Sequence, residues 1–309
     1  MKLNKIAVFT IVALALAGIG LSQSPDVTSP PSGFVYVSVN VTGPRNVPVT
    51  GLNKENFVLK EDGIEQSITS FVASNEPIDI DLILAMRALE RGRADLVSSK
   101  IRESVENFRH QSNPRNKWVV EEMPFGANGI FDAMSRHITR LQQSSNPRKL
   151  VVVFTDGFES SGGDPGRQLQ EYAKQLGVPI YIIYTAFNNP LDFGESRGLL
   201  PGLPGDIQDV IRGQRIYLDG GNVYEDLTRY TGGRLYRAEA DTALPQFVEV
   251  LAAELKYQYV LGFKSTNDAQ DGKWRKLEVK IKAQDGIGGI KQKDMKIKAR
   301  DRYFVAKPN

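Results

Sequence analysis

The apolar run LVVVF at residues 150–154 is followed at once by the polar sequence TDG at 155–157. Five consecutive apolar residues rich in valine are typical of a strand buried on both faces of a parallel sheet, although a short buried helix could have the same pattern. The polar stop and Gly157 favour a strand that ends in a loop. In open α/β sheets, ligands bind beyond the carboxyl ends of the strands, so Asp156 would lie where such a fold places a site.

Strand patterns alternate with helical patterns on both sides of this run. Short segments at 82–84, 117–120, 180–184 and 234–237, each with apolar residues, predict four further strands. Between them, apolar residues recur at the three- and four-residue spacing of helices. These residues are Leu96, Val97, Ile101, Val105 and Phe108, then Ile130, Met134, Ile138 and Leu141, then Leu169, Tyr172, Ala173 and Leu176. Two more helices are predicted near 223–230 and 244–255. The alternation predicts a doubly wound, mostly parallel α/β sheet over residues 76–256.

The segments on either side of this region have the period-two pattern of strands. Residues 34–75 contain the run FVYVSVNV, and residues 257–306 place Tyr257, Tyr259, Leu261 and Phe263 on one strand face. Each segment is too small to bury a good core alone. We therefore predict that the amino-terminal segment, 34–75, and the carboxyl-terminal segment, 257–306, pack together as a flanking all-β domain.

The amino terminus resembles a leader. Residues 1–5 are basic, residues 6–21 are apolar and small, and a polar segment follows. This pattern predicts a secretory signal peptide at 1–22, with Gly20 or Ser22 before the cut, and a linker rich in proline and serine at 23–33. The alternative is a retained membrane anchor, because the run approaches the shortest length that spans a bilayer. Either way, we expect a secreted, periplasmic or cell-envelope protein, with no membrane insertion after cleavage.

Charge and cysteine content narrow the functions that this chain could have. Of 309 residues, 39 are basic and 36 acidic, and without the leader residues Lys2 and Lys5 the basic count falls to 37. A near-neutral balance offers no electrostatic basis for binding nucleic acid. Cysteine is absent, which excludes a disulfide scaffold, thiolate metal sites and a lipoprotein anchor.

The motifs resemble those of the von Willebrand factor A-type (VWFA) family. They are FTDG around Asp156, the alternation of strands and helices, and TGG at 231–233 before the last helix. The pattern is more similar to a secreted subgroup, the acidobacterial-type VWFA-related proteins. That subgroup has a signal peptide, a β segment like VPVTGLNKENFVLKEDGIEQSITSF at 47–71, the A-type domain, and a tail like YVLGFKSTNDAQDGKWRKLEVKI at 259–281. The resemblance covers nearly the whole mature chain and implies a Rossmann-like fold with a protein-binding role.

The family commonly binds a divalent cation at a metal-ion-dependent adhesion site. Its ligands are Asp-x-Ser-x-Ser after the first strand, a Thr from a second loop and an Asp from the pivotal loop. In this chain, Ala85, Arg87 and Leu89 fall at the first three positions, Asn128 falls at the Thr, and Asp156 alone matches. Mg²⁺ needs oxygen ligands, so the resemblance implies a degenerate site with no metal and no cofactor. An ion pair between Arg87 and Asp156 is a hypothesis for what replaces the cation.

Signals of catalysis are scarce in the sequence. It has no HExxH, no phosphate-binding GxxxxGK[ST] motif and no cysteine nucleophile. The letters GESRG at 194–198 match GxSxG, but they lie within the long loop predicted at 185–221 and not at a turn between a strand and a helix. His137 follows Asp132 on a predicted helix, and we expect it to be a surface residue without a third partner. We therefore predict a protein that is not an enzyme.

The sequence predicts a non-catalytic protein–protein interaction module that works outside the cytoplasm. Its partner-binding residues would be Arg87, Asn128, Thr155 and Asp156, at the carboxyl edge of the sheet beside the long loop 185–221. The protein partner is unidentified. Two alternatives stay open: a purely structural envelope scaffold, and a metal-dependent hydrolase built on Asp132, Asp156 and Glu159.

Overall fold

The computed structural model describes residues 34–85, 91–123, 129–155, 157, 165–185, 220–238, 244–282 and 286–308. The predicted leader, 1–22, and the predicted linker, 23–33, therefore lie outside the described residues. Within the described ranges, no helix combines the length and the apolar character needed to cross a bilayer.

Strands and helices occur in the order that the hydrophobic pattern predicts. The strands are β1 (Phe34–Thr42), β2 (Phe57–Glu61), β3 (Ile64–Gln66), β4 (Ile68–Val72), β5 (Asp79–Ala85), β6 (Lys117–Glu122), β7 (Lys149–Thr155), β8 (Ile180–Thr185), β9 (Arg234–Ala238), β10 (Tyr259–Lys264), β11 (Trp274–Ile281), β12 (Lys296–Ala299) and β13 (Arg302–Phe304). The helices are α1 (Arg91–Gln111), α2 (Ile130–Gln142), α3 (Pro165–Leu176), α4 (Gly220–Thr231) and α5 (Leu244–Lys256).

Five of the strands form one parallel sheet in the order β6-β5-β7-β8-β9. The pivotal apolar run is β7, which lies between β5 and β8. Its side chains alternate between two cores: Val151 and Val153 pack on one face, while Leu150, Val152 and Phe154 pack on the other. An uninterrupted apolar run is needed here because a central strand has no face in contact with water.

Helices cover both faces of this sheet. Buried residues of α1 and α5 share a core with one face, and residues of α2, α3 and α4 share a core with the other. The fold is therefore an α/β doubly wound parallel sheet with a flanking β domain, as the alternation of strands and helices predicted.

The flanking domain consists of two four-stranded sheets, in the orders β12-β1-β10-β4 and β13-β11-β2-β3. Strand β1 pairs antiparallel with β10 on one side and with β12 on the other, so residues near the two ends of the chain share a sheet. Apolar side chains from both sheets meet in a common core that includes Val37, Leu59, Leu261 and Leu277.

The β domain contacts the parallel sheet near the starts of its strands. The side-chain amide of Asn40 donates to the carbonyl of Glu254 at 2.7 Å, and the backbone N–H of Asn75 donates to the carbonyl of Lys256 at 2.8 Å. The buried Arg300 side chain packs over Gly232, which lies just before β9, and donates to the carbonyl of Tyr36. These contacts lie at the amino edge of the sheet, so the carboxyl edge is at the opposite end.

Candidate functional site

Two central strands end side by side at the carboxyl edge. Ala85, the last residue of β5, pairs in register with Thr155, the last residue of β7, and Thr155 also pairs with Tyr184 of β8. Ala85 and Thr155 are fully buried. The Thr155 hydroxyl oxygen accepts a hydrogen bond from the backbone N–H of Gly157 at 2.9 Å, which bends the chain as it leaves the strand.

Of the four predicted partner-binding residues, Thr155 is the one that the structure describes. Arg87, Asn128 and Asp156 lie outside the described residues. Arg87 is two residues after the end of β5, Asp156 directly follows β7, and Asn128 lies in the segment between β6 and α2. The predicted ion pair between Arg87 and Asp156 stays a prediction.

Gly157 closes the turn after β7 against an aromatic ring. Its φ is +81°, in the left-handed region that favours glycine, and a Cβ atom built on it would lie 2.5 Å from Cε2 of Tyr184. The Tyr184 ring lies 5.9 Å from that of Tyr224, which lies 6.1 Å from that of Phe131. Three packed aromatic rings from β8, α4 and α2 therefore support this end of the sheet.

The described residues at this edge do not fit a divalent cation. Ala85 offers no side-chain oxygen, and Thr155 offers one hydroxyl oxygen, which accepts a hydrogen bond from Gly157. Across the ranges that the structure describes, no group of three or more His, Asp and Glu side chains could hold a metal ion. Hard cations such as Mg²⁺ need several oxygen ligands at once.

A second polar cluster lies inside the α/β domain, and it corrects the prediction for His137. The residue is only 6% exposed, and not on the surface. Its Nδ1 atom lies 2.6 Å from Oδ2 of the fully buried Asp81, and its Nε2 atom lies 2.9 Å from Oε2 of Glu121. The prediction was wrong because it treated the helix as exposed at that position, whereas α2 turns His137 towards the edge of the sheet.

Two arginines complete this cluster. Arg140 donates to both carboxylate oxygens of Asp81, with its Nε atom 2.8 Å from Oδ2. Arg136 donates to Oε1 of Glu121 at 2.8 Å. The result is a continuous chain of contacts, Arg136–Glu121–His137–Asp81–Arg140, in which each carboxylate accepts from an arginine.

This arrangement leaves His137 no free nitrogen for acid–base chemistry. A general base needs an unshared lone pair within reach of a substrate proton. Both ring nitrogens instead contact carboxylates within the protein. The cluster joins β5, β6 and α2, and its geometry is that of a buried ionic link.

Sequence patterns did contain a signal for this cluster. Asp81 interrupts an apolar run between Ile80 and Leu82, and a buried acid requires a partner. His137 lies three residues after Met134 and next to Ile138, on the apolar stripe of α2. Together these positions could have indicated a buried pair between the strand and the helix.

A third cluster surrounds Glu254 of α5 at the amino edge. Its carboxylate accepts from Arg234 at 2.8 Å and from the Tyr236 hydroxyl at 3.1 Å, and the Tyr181 hydroxyl lies 3.4 Å away. Burial and, after it, the charge of Glu254 raise the pKa of Tyr181 and of Tyr236 above the ordinary value of a phenol. The amino edge therefore contains a hydrogen-bonded cluster of polar side chains centred on Glu254.

Comparison with known proteins supports no assignment beyond the fold class. No family model matches the chain, and no curated protein matches it. Among solved structures, the von Willebrand factor type A protein from Catenulispora acidiphila is similar over 91% of this chain and 74% of that chain, at 7% identity and a TM-score of 0.37. A similarity this weak carries no argument about function. The five-stranded parallel sheet with helices on both faces fits a VWFA-like fold.

Proposed function

We propose that this chain is a non-catalytic protein–protein interaction module that works outside the cytoplasm. Its partner-binding surface lies at the carboxyl edge of the parallel sheet and includes Arg87, Asn128, Thr155 and Asp156. The proposal includes a degenerate adhesion site, in which contact with the partner does not depend on a metal ion.

The observation that carries this proposal is the register of Ala85 with Thr155. The pairing puts the ends of β5 and β7 next to each other, and β6 ends beside β5. The three segments that contain Arg87, Asn128 and Asp156 therefore start from adjacent points on one edge. Loops that leave neighbouring strand ends can form one contact surface, which is where open α/β sheets bind their ligands.

The contacts of His137 support a role without catalysis. The residue that would be the natural general base is held by Asp81 and Glu121. Asp132, a residue of the alternative hydrolase reading, is exposed on α2, and no described histidine is a partner for it. The interaction reading requires only a rigid edge, which the rings of Tyr184, Tyr224 and Phe131 help to provide.

The predicted leader at 1–22 supports one part of the proposal, the location outside the cytoplasm. Amino-terminal sequencing of the protein recovered from the envelope or medium should find a new terminus close to Ser22. Recovery of intact Met1 in the membrane fraction would instead support the retained anchor. Recovery in the cytoplasm would contradict the proposal.

The binding surface is tested by capture of partners from an extracytoplasmic extract. Immobilised wild-type protein is compared with Arg87→Ala, Asn128→Ala and Asp156→Ala, and bound proteins are quantified by mass spectrometry. Asp268→Ala is the matched control, because Asp268 is an exposed acid of the β domain. We expect the three edge variants to lose the same captured protein and the control to retain it.

A purely structural scaffold is the second candidate. It is favoured by the β domain, in which strands from both ends of the chain form shared sheets and contact α5 through Asn40. If capture persists in all three edge variants but is lost when the β domain is altered, the scaffold reading replaces the proposed function.

A further inference from the structure

The outer edge of β6 is an exposed strand edge. Strand β6 is the first strand in the order β6-β5-β7-β8-β9, and no strand within the described ranges pairs with its outer side. Val119 is 36% exposed and Val120 is 44% exposed. Exposed valines on an unpaired strand edge favour pairing with another strand.

The hydrogen bonds to β5 identify which backbone groups face outward. The backbone N–H of Lys117 donates to the carbonyl of Ile78, and that of Met123 donates to the carbonyl of Leu84, each at 2.9 Å. Alternate residues of a strand point their N–H and C=O groups to opposite sides, so residues 117, 119, 121 and 123 face β5. Trp118, Val120 and Glu122 therefore present their backbone groups to the outside.

We propose that this edge joins two copies of the chain, with β6 of one copy antiparallel to β6 of the other. Val119 then lies opposite Val119 of the second copy, on a two-fold axis perpendicular to the sheet. In this register, Trp118 lies opposite Val120 of the second copy. Both of those residues point their backbone groups outward, so each such pair exchanges two hydrogen bonds. The inference goes beyond the proposed function, because it concerns the outer side of strand β6 and not the carboxyl edge, where the strands end.

The order of charges in β6 selects a second copy as the occupant. The strand reads KWVVEE, with a basic residue at its start and acidic residues at its end. The antiparallel register through Val119 puts Lys117 opposite Glu121 of the second copy, whose carboxylate also contacts Arg136 and His137 of its own chain, and it puts apolar residues opposite apolar residues between them. Opposite charges and paired apolar side chains across strands both stabilise a sheet.

The other edge of the same sheet lacks this complementarity. Strand β9 has the sequence RLYRA, with Arg234 and Arg237 near its two ends. In an antiparallel pair of two such strands centred on Tyr236, Arg237 would lie opposite Leu235 and Arg234 opposite Ala238, and β9 has no acidic residue to face either arginine. A pair of β9 strands therefore lacks the opposite charges that a pair of β6 strands brings together.

Two substitutions of opposite charge test the register directly. Val119→Lys and Val119→Glu each place two like charges opposite each other on the two-fold axis. By sedimentation velocity over a range of concentrations, we expect the wild type to dimerise and each variant to dissociate with a dissociation constant raised at least about tenfold. An equimolar mixture of the two variants should recover the dimer, because lysine then faces glutamate.

Two further variants separate pairing from misfolding. Val120→Pro removes an outward N–H without touching the bonds to β5, so it should abolish the dimer while circular dichroism and the urea midpoint stay near those of the wild type. Val250→Lys, at a valine of α5 that is 45% exposed, is the matched control and should leave the dimer unchanged.

Three results would overturn the proposal. They are a wild type that is monomeric at its highest soluble concentration, a monomer that binds an added β-strand peptide instead, and a Val119→Lys variant that dimerises as well as the wild type. The last result would point to a shifted register in which residue 119 faces Glu121 of the second copy. Partner capture at Asp156 should persist in Val119→Lys, so failure of this inference is distinguishable from failure of the proposed function.

Discussion

Nδ1 of His137 lies 2.6 Å from Oδ2 of Asp81, which is fully buried in the second strand from the edge of the parallel sheet. This contact ties helix α2 to strand β5. A histidine beside an acid also resembles part of a catalytic site. Here the second ring nitrogen contacts Glu121, so both nitrogens of the imidazole make contacts that join α2 to β5 and β6.

Removing the buried acid should destabilise the protein strongly. Asp81→Ala removes the buried carboxylate that His137 and Arg140 both contact, and we expect the free energy of unfolding to fall by about 3 kcal/mol. Urea denaturation monitored by circular dichroism measures the change. Glu106→Ala is the control, because Glu106 forms an exposed ion pair with Arg109 and should cost less than about 1 kcal/mol. Equal losses in the two variants would mean that the buried link contributes little.

The turn after β7 should not tolerate a side chain. Gly157→Ala combines the penalty for a positive φ with a clash against the Tyr184 ring, where the added Cβ would lie 2.5 Å from Cε2. Gly51→Ala is a matched control, because Gly51 has a φ of +78° and no atom within 4 Å of the added Cβ. We expect Gly157→Ala to lose at least about 1 kcal/mol more than Gly51→Ala in thermal or urea unfolding. A difference near zero would show that Tyr184 moves aside at no cost.

Alkaline solutions should destabilise the fold through its buried tyrosines. Burial raises the pKa of Tyr181, Tyr236 and Tyr303 in the folded state, whereas in the unfolded chain these phenols ionise near about pH 10. Above that pH the unfolded state binds fewer protons than the folded state, so the stability that these groups contribute is lost as pH rises, and it is fully present below.

Tyr236→Phe isolates this effect. The variant lacks one of the phenols, so its urea midpoint should fall less steeply than that of the wild type between about pH 9 and pH 11. Absorbance of phenolate provides a second measurement, since part of the 11 tyrosines should ionise only when the protein unfolds. Identical slopes for the two proteins would contradict the raised pKa of Tyr236.

Divalent cations should not bind at the carboxyl edge. Ala85 at the end of β5 offers no side-chain oxygen, and a single hydroxyl at Thr155 falls short of the several oxygen ligands that a hard cation needs. Calorimetric titration with Mg²⁺ and with Ca²⁺ should give no saturable heat, and a chelator should leave the melting temperature unchanged. One equivalent of cation bound by the wild type, lost in Asp156→Ala and kept in Asp268→Ala, would revive the adhesion-site or hydrolase reading.

The strands and helices could be predicted where the local pattern of apolar residues reflects which of their faces are buried. The run at 150–154 predicted a strand covered on both faces, and β7 confirms it at the centre of the sheet. Thr155 is the last residue of that strand, and its role in partner binding stays a prediction. The prediction for His137 was wrong, because an amphipathic stripe identifies a buried helix face but not which polar residue at its margin is turned inward.

Sequence alone determined the class of the fold, because apolar periodicity reflects which faces of each strand and helix lose contact with water. It also determined the expectation of a poor metal site, because alanine and leucine have no oxygen to donate. Tertiary structure decided what lies next to what: Asp81 beside His137, Ala85 beside Thr155, and the outer side of β6 without a neighbouring strand among the described residues. These relationships join residues far apart in the chain. They depend on how strands pair and on how helices pack against them, which no local pattern encodes.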